Sequence, residues 1–87
     1  MYFVVYDIKN EEVVGRLLSK AKEYGEMNQV LPCAFLLDTR ADLKTINNAF
    51  LTIVSNNGRI MTALISRNNI NGWLGSDSVK WINSKNF

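Results

Sequence analysis

Asp7 is the residue of this chain best placed to do chemistry, because it ends an almost wholly apolar run, MYFVVYDI, at the start of the sequence. The run is rich in β-branched and aromatic residues and contains neither Gly nor Pro, which predicts a strand buried on both faces. A carboxylate at the end of such a strand is either a turn residue or the start of an active site. The sequence leaves both interpretations of Asp7 open.

The missing residue types restrict the chemistry further. The chain has no His, which removes the commonest general base and the commonest transition-metal ligand. A catalytic metal would then be a hard cation such as Mg²⁺, held by carboxylates and water. Cys33 is the only cysteine, and without a His partner we expect it to pack as an apolar residue rather than act as a nucleophile. A single cysteine also excludes an intrachain disulfide and favours a cytoplasmic setting.

Length, hydropathy and charge limit the class of protein. The 87 residues correspond to one domain, and 47% of them are hydrophobic, which is a high share for so short a chain. This predicts that a second copy covers part of the apolar surface, most simply in a twofold homodimer, with a close-packed monomer as the alternative. The net charge of +2 permits a basic patch without imposing one. The apolar stretches are too short to cross a membrane, and the N-terminal run lacks the basic start of a signal peptide, so no membrane partner is expected.

Hydrophobic spacing in the first half of the chain predicts a strand, a helix and a second extended region. The strand covers Tyr2–Ile8, and the helix begins after Asn10 as N-cap. Gly25 is expected to end the helix in a left-handed C-cap. Beyond it the chain reads as extended but is broken at Pro32, which cannot donate to a strand ladder, so Cys33–Leu37 forms a separate core strand.

The second half repeats the pattern of a helix followed by a strand. Thr39 is the predicted N-cap of the second helix, with Asp42 three residues later, and the turn Asn56-Asn57-Gly58 closes that helix. A last strand covers Arg59–Ser66. The order β-α-β-β-α-β predicts an α+β, ferredoxin-like sandwich, in which a four-stranded antiparallel sheet carries both helices on one face.

The chain is therefore expected to form a single domain, with a core over residues 1–66 and a C-terminal extension over residues 67–87. In the extension, Val79 and Trp81 fit a short strand, whereas Val79 and Ile82 fit a helical turn. Trp73 and Trp81 are capable of stacking on nucleic-acid bases, but packing on this domain or on a partner is the favoured interpretation. The helix-free face of the sheet is expected to be covered by the same face of a second copy.

Several segments carry a family resemblance: the opening strand MYFVVYDI, the helix end Glu23-Tyr24-Gly25, Gln29, and the stretch Cys33-Ala34-Phe35. Together they resemble the CRISPR-associated protein 2 family, a small subunit of spacer-acquisition machinery. The segment Leu31-Pro32-Cys33-Ala34-Phe35 and Trp73 resemble the related SinR-like proteins more closely. The virulence-associated protein D family is a third relative of the same type.

The resemblance implies a ferredoxin-like homodimer whose sheets face each other. In these families the acidic residue that ends the first strand, matched here by Asp7, lies near the twofold axis and is proposed to hold Mg²⁺ for cleavage of RNA or DNA. A symmetry-related pair of carboxylates is able to bridge one hydrated ion, which lowers the pKa of a bound water. Lys9, Arg16 and Arg40 are then expected to steer the nucleic-acid backbone.

Two functions from different classes follow. The first is a Mg²⁺-dependent endonuclease with Asp7 as both catalytic residue and metal ligand. The second is a non-catalytic dimeric adaptor that binds nucleic acid or a protein partner, in the latter case within a larger complex, for example in bacterial or phage defence. The lack of His, the single candidate carboxylate and the mild charge motivate the second hypothesis.

Overall fold

The first six elements follow the order β-α-β-β-α-β that the hydrophobic pattern predicts. The computed structural model describes residues 1–87, and its elements are β1 (Tyr2–Ile8), α1 (Glu11–Tyr24), β2 (Glu26–Leu31), β3 (Ala34–Asp38), α2 (Leu43–Val54), β4 (Gly58–Leu64), a short 3-10 turn (Arg67–Asn69) and α3 (Ser76–Asn83). The four strands form one antiparallel sheet in the order β2-β3-β1-β4. Since β3 lies between β1 and β2, the predicted ferredoxin-like α+β sandwich is confirmed.

The two faces of the sheet differ because successive side chains of a strand point to opposite sides. Tyr2, Val4 and Tyr6 of β1 point toward α1 and α2 and are buried with the apolar stripes of both helices. Phe3 and Val5 point the other way and are only half-buried. This chain therefore buries β1 on the helix-covered face, and burial of the other face by a second copy stays a prediction. The rest of the core consists of Leu17, Ala21, Phe35, Leu37, Ile46, Phe50 and Val54.

Helix α1 begins and ends at the predicted residues, but its C-cap is not left-handed. The Asn10 side-chain oxygen accepts hydrogen bonds from the backbone N–H groups of Glu12 and Val13 at 3.0 and 3.3 Å, which confirms the N-cap. Gly25 has φ 169° and ψ −162°, which is extended backbone. A glycine is needed there for a different reason: a Cβ atom would overlap the backbone carbonyl oxygen of Asp38.

The N-cap of α2 is Asp42 and not Thr39 as predicted. The Asp42 Oδ1 atom accepts a hydrogen bond from the Thr45 N–H at 2.8 Å. Thr39 instead donates its hydroxyl to the Tyr24 carbonyl at 2.9 Å and accepts from the Ala41 N–H at 3.1 Å. The Thr39 hydroxyl thus ties the end of α1 to a bend, and this bend delays the start of α2.

Strands β2 and β3 form a hairpin with Pro32 and Cys33 in the turn. Leu31 pairs with Ala34, and the register shifts between Gln29 and Leu31. Pro32 stays outside the ladder, as its missing N–H predicts. Strand β3 begins at Ala34 rather than Cys33, and Cys33 is exposed. The packed role predicted for Cys33 is wrong because the turn holds this residue outside the sheet.

The C-terminal extension folds back onto the β2 edge and the helix-free face of the sheet. Strand β4 ends at Leu64, before the predicted end at Ser66. The sequence left a short strand or a helical turn open for the extension. The structure has a helix, α3, over Ser76–Asn83. Helix α3 packs against β2, where the Ser78 hydroxyl donates to Asn28 Oδ1 at 2.8 Å.

Two cations fasten the end of the extension. The Arg67 guanidinium donates to the Ile82 carbonyl at 3.0 Å and lies 4.8 Å from the centre of the Phe87 ring. The Lys85 ammonium forms an ion pair with Glu26 of β2. The first contact holds the two ends of the extension together, and the second attaches its end to the sheet.

Candidate functional site

Asp7 lies within β1, on the helix-free face of the sheet, and its side chain is exposed. Its direct cross-strand partner in β4 is Arg59. Residues paired in this way share a face, with Cβ atoms about 4.5–5.5 Å apart. No ion pair joins the two side chains, since the ion pairs of the protein are Lys20–Glu23 and Lys85–Glu26. Asp7 is thus an accessible carboxylate beside a cation and not a turn residue.

The other side of Asp7 faces the β2–β3 hairpin. The pairing of β1 with β3 ends at Val5 and Ala34, and the Tyr6 N–H then donates to the carbonyl of Cys33 at 2.9 Å. The turn rather than a continuing strand therefore flanks Asp7 on this side. This leaves the end of β1 open to a ligand.

Within one protomer, Asp7 is the only predicted metal ligand. No group of three or more His, Cys, Asp or Glu residues lies together anywhere in the structure. Mg²⁺ keeps several waters and binds proteins through one or two carboxylates. Asp7 supplies one such carboxylate, and the Asp7 of a second copy would supply another if Mg²⁺ binds between two protomers.

The three predicted nucleic-acid contacts lie in different places. Lys9 directly follows β1 and is exposed at the same end of the sheet as Asp7. Arg16 is exposed on α1, in the helix layer on the opposite side of the sheet. Arg40 follows β3, near the beginning of β1, so the length of β1 separates it from Asp7, by about 17 Å at the usual rise per residue. The structure brings Lys9 near Asp7 and does not bring Arg16 or Arg40 there.

Arg59 is the site residue that sequence reasoning missed. It is the first residue of the predicted last strand, and a ferredoxin-like order places that strand beside β1. The antiparallel register of these two strands, with Tyr2 opposite Leu64 and Asp7 opposite Arg59, brings it to the site, and no local signal in the sequence gives that register. Arg59 and Lys9 thus place two cationic side chains near Asp7.

Beneath this end, on the helix-covered face, Tyr6 anchors the hairpin. Its hydroxyl donates to the Pro32 carbonyl at 3.4 Å and accepts from Gln29 Nε2 at 3.2 Å, while Gln29 Nε2 also donates to Pro32 at 3.1 Å. Burial, and secondarily the nearby Cys33, raise the pKa of the Tyr6 phenol above its ordinary value, against a lowering by the Gln29 hydrogen bond. Tyr6 therefore stays protonated and serves to hold the hairpin against β1.

A second concave feature lies between the helix-free face and the extension. This groove has a volume of about 630 Å³. Its apolar lining includes Phe3, Val30, Leu31, Leu36, Ile65, Ile70, Trp73, Leu74 and Val79. The Trp73 side chain stands at the groove and is 98% exposed, so it does not pack on its own domain. Trp81 is half-buried, with the Lys85 ammonium 5.1 Å from its ring centre.

The fold and the site define a small α+β protein of ferredoxin-like topology with an accessible carboxylate at the end of its central strand. Comparison of the chain with protein-family models, with curated proteins and with solved structures gives no match. None of the helices has the length and apolar content that a membrane span requires.

Proposed function

We propose that this protein is a cytoplasmic, nucleic-acid-associated homodimer that cleaves RNA or DNA with Mg²⁺, as its resemblance to the CRISPR-associated protein 2 family implies. The observation that carries the proposal is the position of Asp7. It is an exposed carboxylate without an ion-pair partner, it is the penultimate residue of the inner strand β1, and it lies on the sheet face that the core helices leave free.

The homodimer supplies what one protomer lacks. If two helix-free faces meet about a twofold axis near the end of β1, the two Asp7 carboxylates become neighbours. Two carboxylates and several waters match the ligand set that Mg²⁺ prefers. Bound there, the ion would activate a water as nucleophile and offset charge on the phosphate.

The cations around Asp7 have a separate role in this proposal. Arg59 pairs across from Asp7 in the sheet, and Lys9 follows the same strand. The two side chains bind and position the phosphates of the strand to be cleaved, and they oppose the repulsion between the Asp7 carboxylates and those phosphates. Arg59 is suited to bidentate contact with a phosphate, whereas Lys9 acts as a point charge.

The decisive experiment compares Asp7→Asn with the wild-type protein. We expect Asp7→Asn to lower an EDTA-sensitive cleavage of single-stranded RNA or duplex DNA by about a hundredfold or more, since even the outer partners of metal ligands cost ten- to hundredfold when lost. The dimer should be unchanged by light scattering. Asp77→Asn is the matched control, because Asp77 is an exposed carboxylate in the first turn of α3. Equal cleavage by Asp7→Asn and wild type would exclude the nuclease.

A second candidate function is a non-catalytic adaptor that binds nucleic acid or a protein partner. The observation that favours it is the absence of any cluster of three metal-binding side chains. In that case Asp7→Asn leaves binding to the partner or nucleic acid unchanged. Arg59→Ala lowers the slope of log binding constant against log salt concentration by about one, as the loss of one phosphate contact does. Loss of binding to every nucleic acid tested, together with a stable partner in a pull-down, would identify the protein-binding form.

A further inference from the structure

We propose that Trp73 inserts into the groove of a second copy of this chain, so that each protomer of the homodimer donates one indole and receives one. This inference rests on the homodimer of the proposed function and names the contact that holds it together. It concerns the groove and the extension, and it uses none of the residues at the Asp7 end of the sheet.

The exposure of Trp73 is the first observation behind this contact. At 98% exposed, the indole places its whole apolar surface in water, and an aromatic side chain of this kind buries 150–250 Å² when it finds a site, as a rough guide. The next residue, Leu74, is half-buried on the domain. The chain is thus anchored right beside Trp73, which holds the indole out from the surface.

The groove next to Trp73 suits an indole as occupant. Phe3 and Leu36 of the sheet line it together with Ile70 and Val79 of the extension. Its volume of about 630 Å³ lies within the range of about 300–1,000 Å³ of ligand-binding clefts, so an indole has room to enter. The polar lining side chains are those of Asn69, Asn71 and Asn83. They are uncharged, and an amide oxygen is able to accept the indole N–H.

The relative position of indole and groove points to a second copy rather than to a different protein. A twofold interface is self-complementary, so the projecting group and the cavity that receives it must both lie on the one surface that meets the partner. Trp73 lies at the edge of its own groove. A twofold axis that passes beside this edge places each Trp73 in the groove of the other protomer. Met61, which is 62% exposed and pairs with Val5 on the same face, extends the apolar surface. A net charge of +2 opposes such an association only weakly.

Stacking of a nucleic-acid base on Trp73 is the competing role for the indole. Proteins that bind single strands combine aromatic platforms with cations that follow the backbone. No Lys or Arg lines the groove, and the nearby Arg67 is engaged by the Phe87 ring and by backbone carbonyls. The surroundings of Trp73 therefore favour an apolar protein contact.

The first test measures dimerisation of Trp73→Ala by light scattering or sedimentation over a concentration series. We expect the dimer dissociation constant to rise by about a hundredfold or more, because a buried central Trp is the typical hot spot and is lost twice in a twofold interface. Leu51→Ala is the matched control: Leu51 is an exposed apolar residue, but it lies on α2 in the opposite layer. A dissociation constant within threefold of wild type, as a rough limit of measurement, would overturn the inference.

A mixing experiment tests the reciprocal geometry directly. Val79→Arg places a charge in the groove but keeps Trp73, whereas Trp73→Ala keeps the groove but removes the indole. Neither variant should dimerise well alone. A mixture of the two restores one of the two contacts, so heterodimers should form at concentrations at which both pure variants are monomeric. No gain on mixing would contradict the exchange of Trp73.

These outcomes separate this inference from the proposed function. Trp73→Ala that dimerises and cleaves like wild type overturns the Trp73 contact and leaves the nuclease intact. A dimer that depends on Trp73 but has no Asp7-dependent cleavage supports the contact and removes the nuclease. Trp73→Ala that dimerises normally but loses nucleic-acid binding assigns the indole to base stacking and overturns the inference.

Discussion

The two faces of the sheet consist of the same four strands but are stabilised by different means. The helix-covered face is apolar and closely packed, with the Phe35 ring 6.1 Å from both Tyr6 and Phe50, the latter in an edge-to-face contact. Both helices over it have side-chain N-caps, from Asn10 and Asp42. This face therefore holds the main hydrophobic core of the protein.

The helix-free face has a thinner cover. Leu36 is buried there at 4% exposure, but much of what lies over it is the extension, whose helix α3 has no side-chain N-cap hydrogen bond. The Ser78–Asn28 hydrogen bond attaches α3 to β2, and Lys85, which follows α3, pairs with the largely exposed Glu26 carboxylate of β2. Asp7 and the groove both lie on this face, so the residues proposed to bind ligands occur where internal packing is weakest.

Leu37 and Leu36 offer the sharpest test of this difference, because they are adjacent in β3 and point to opposite faces. Leu37→Ala should lower the free energy of unfolding by about 4 kcal/mol, near the upper end for a buried leucine in a rigid core. Leu36→Ala should cost about 2 kcal/mol, because the extension is free to settle into the space. Denaturant unfolding of both variants measures the two values.

A truncation that removes residues 67–87 serves as the control for this pair. Without the extension, Leu36→Ala should cost almost nothing, while the cost of Leu37→Ala should persist. Equal costs for the two substitutions in the full chain would show that the extension packs as firmly as the helices, and the contrast between the faces would then be wrong.

Thr62 gives a smaller effect of opposite sign on the helix-covered face. Its side-chain oxygen is buried without a hydrogen-bond partner, and its cross-strand partner is the core residue Val4. Thr62→Val keeps the shape and removes the unsatisfied group, so we expect stabilisation by about 1 kcal/mol. Thr52→Val on α2 is the control, since the Thr52 hydroxyl is exposed and donates to the Asn48 carbonyl at 2.9 Å. Destabilisation by Thr62→Val would mean that the Thr62 hydroxyl has a hydrogen-bond partner, such as water, on this face.

The smallest expected effect comes from Asp42, the N-cap of α2, and is a change in how folding stability depends on pH. The hydrogen bonds from Thr45 hold the pKa of Asp42 below its ordinary value of 3.8. A carboxylate with a lowered pKa stabilises the folded state above the unfolded pKa, and this contribution disappears as the pH falls through the folded pKa. Asp42→Asn keeps a capping side chain that does not titrate.

The measurement for Asp42 is the difference in melting temperature between wild type and Asp42→Asn at neutral pH and at a pH below 3.8. Wild type should lose a few degrees more than the variant on acidification, because all other carboxylates are common to both proteins. An identical acid shift in the two proteins would show that the cap hydrogen bond does not favour the charged form.

Local signals in the chain were sufficient for most of the fold. The bounds of β1, the Asn10 cap and the break at Pro32 were all predictable, since each depends on residues close together in sequence. The errors fall where distant segments meet. Thr39 bonds to the end of α1 instead of capping α2, and Gly25 is required by the approach of the Asp38 carbonyl.

The candidate site was only half predictable. Asp7 and Lys9 are neighbours in sequence, so a strand-end carboxylate with an adjacent cation was visible from the start. Arg59 belongs to the site through strand register, and Arg40 is distant from it for the same reason. The exposure of Trp73 was not predictable, because the same apolar residue packs or projects according to where the extension folds.

By itself, the sequence determined the order of strands and helices, the apolar stripe of each element and the set of chemical groups available, with Asp7 but no His among them. Only the tertiary structure decided which groups share a face: Asp7 beside Arg59, Cys33 outside the sheet, and Trp73 in water next to an apolar groove. The physical reason is that periodicity and capping act over a few residues, whereas the register of paired strands and the path of the extension depend on contacts between segments far apart in the chain.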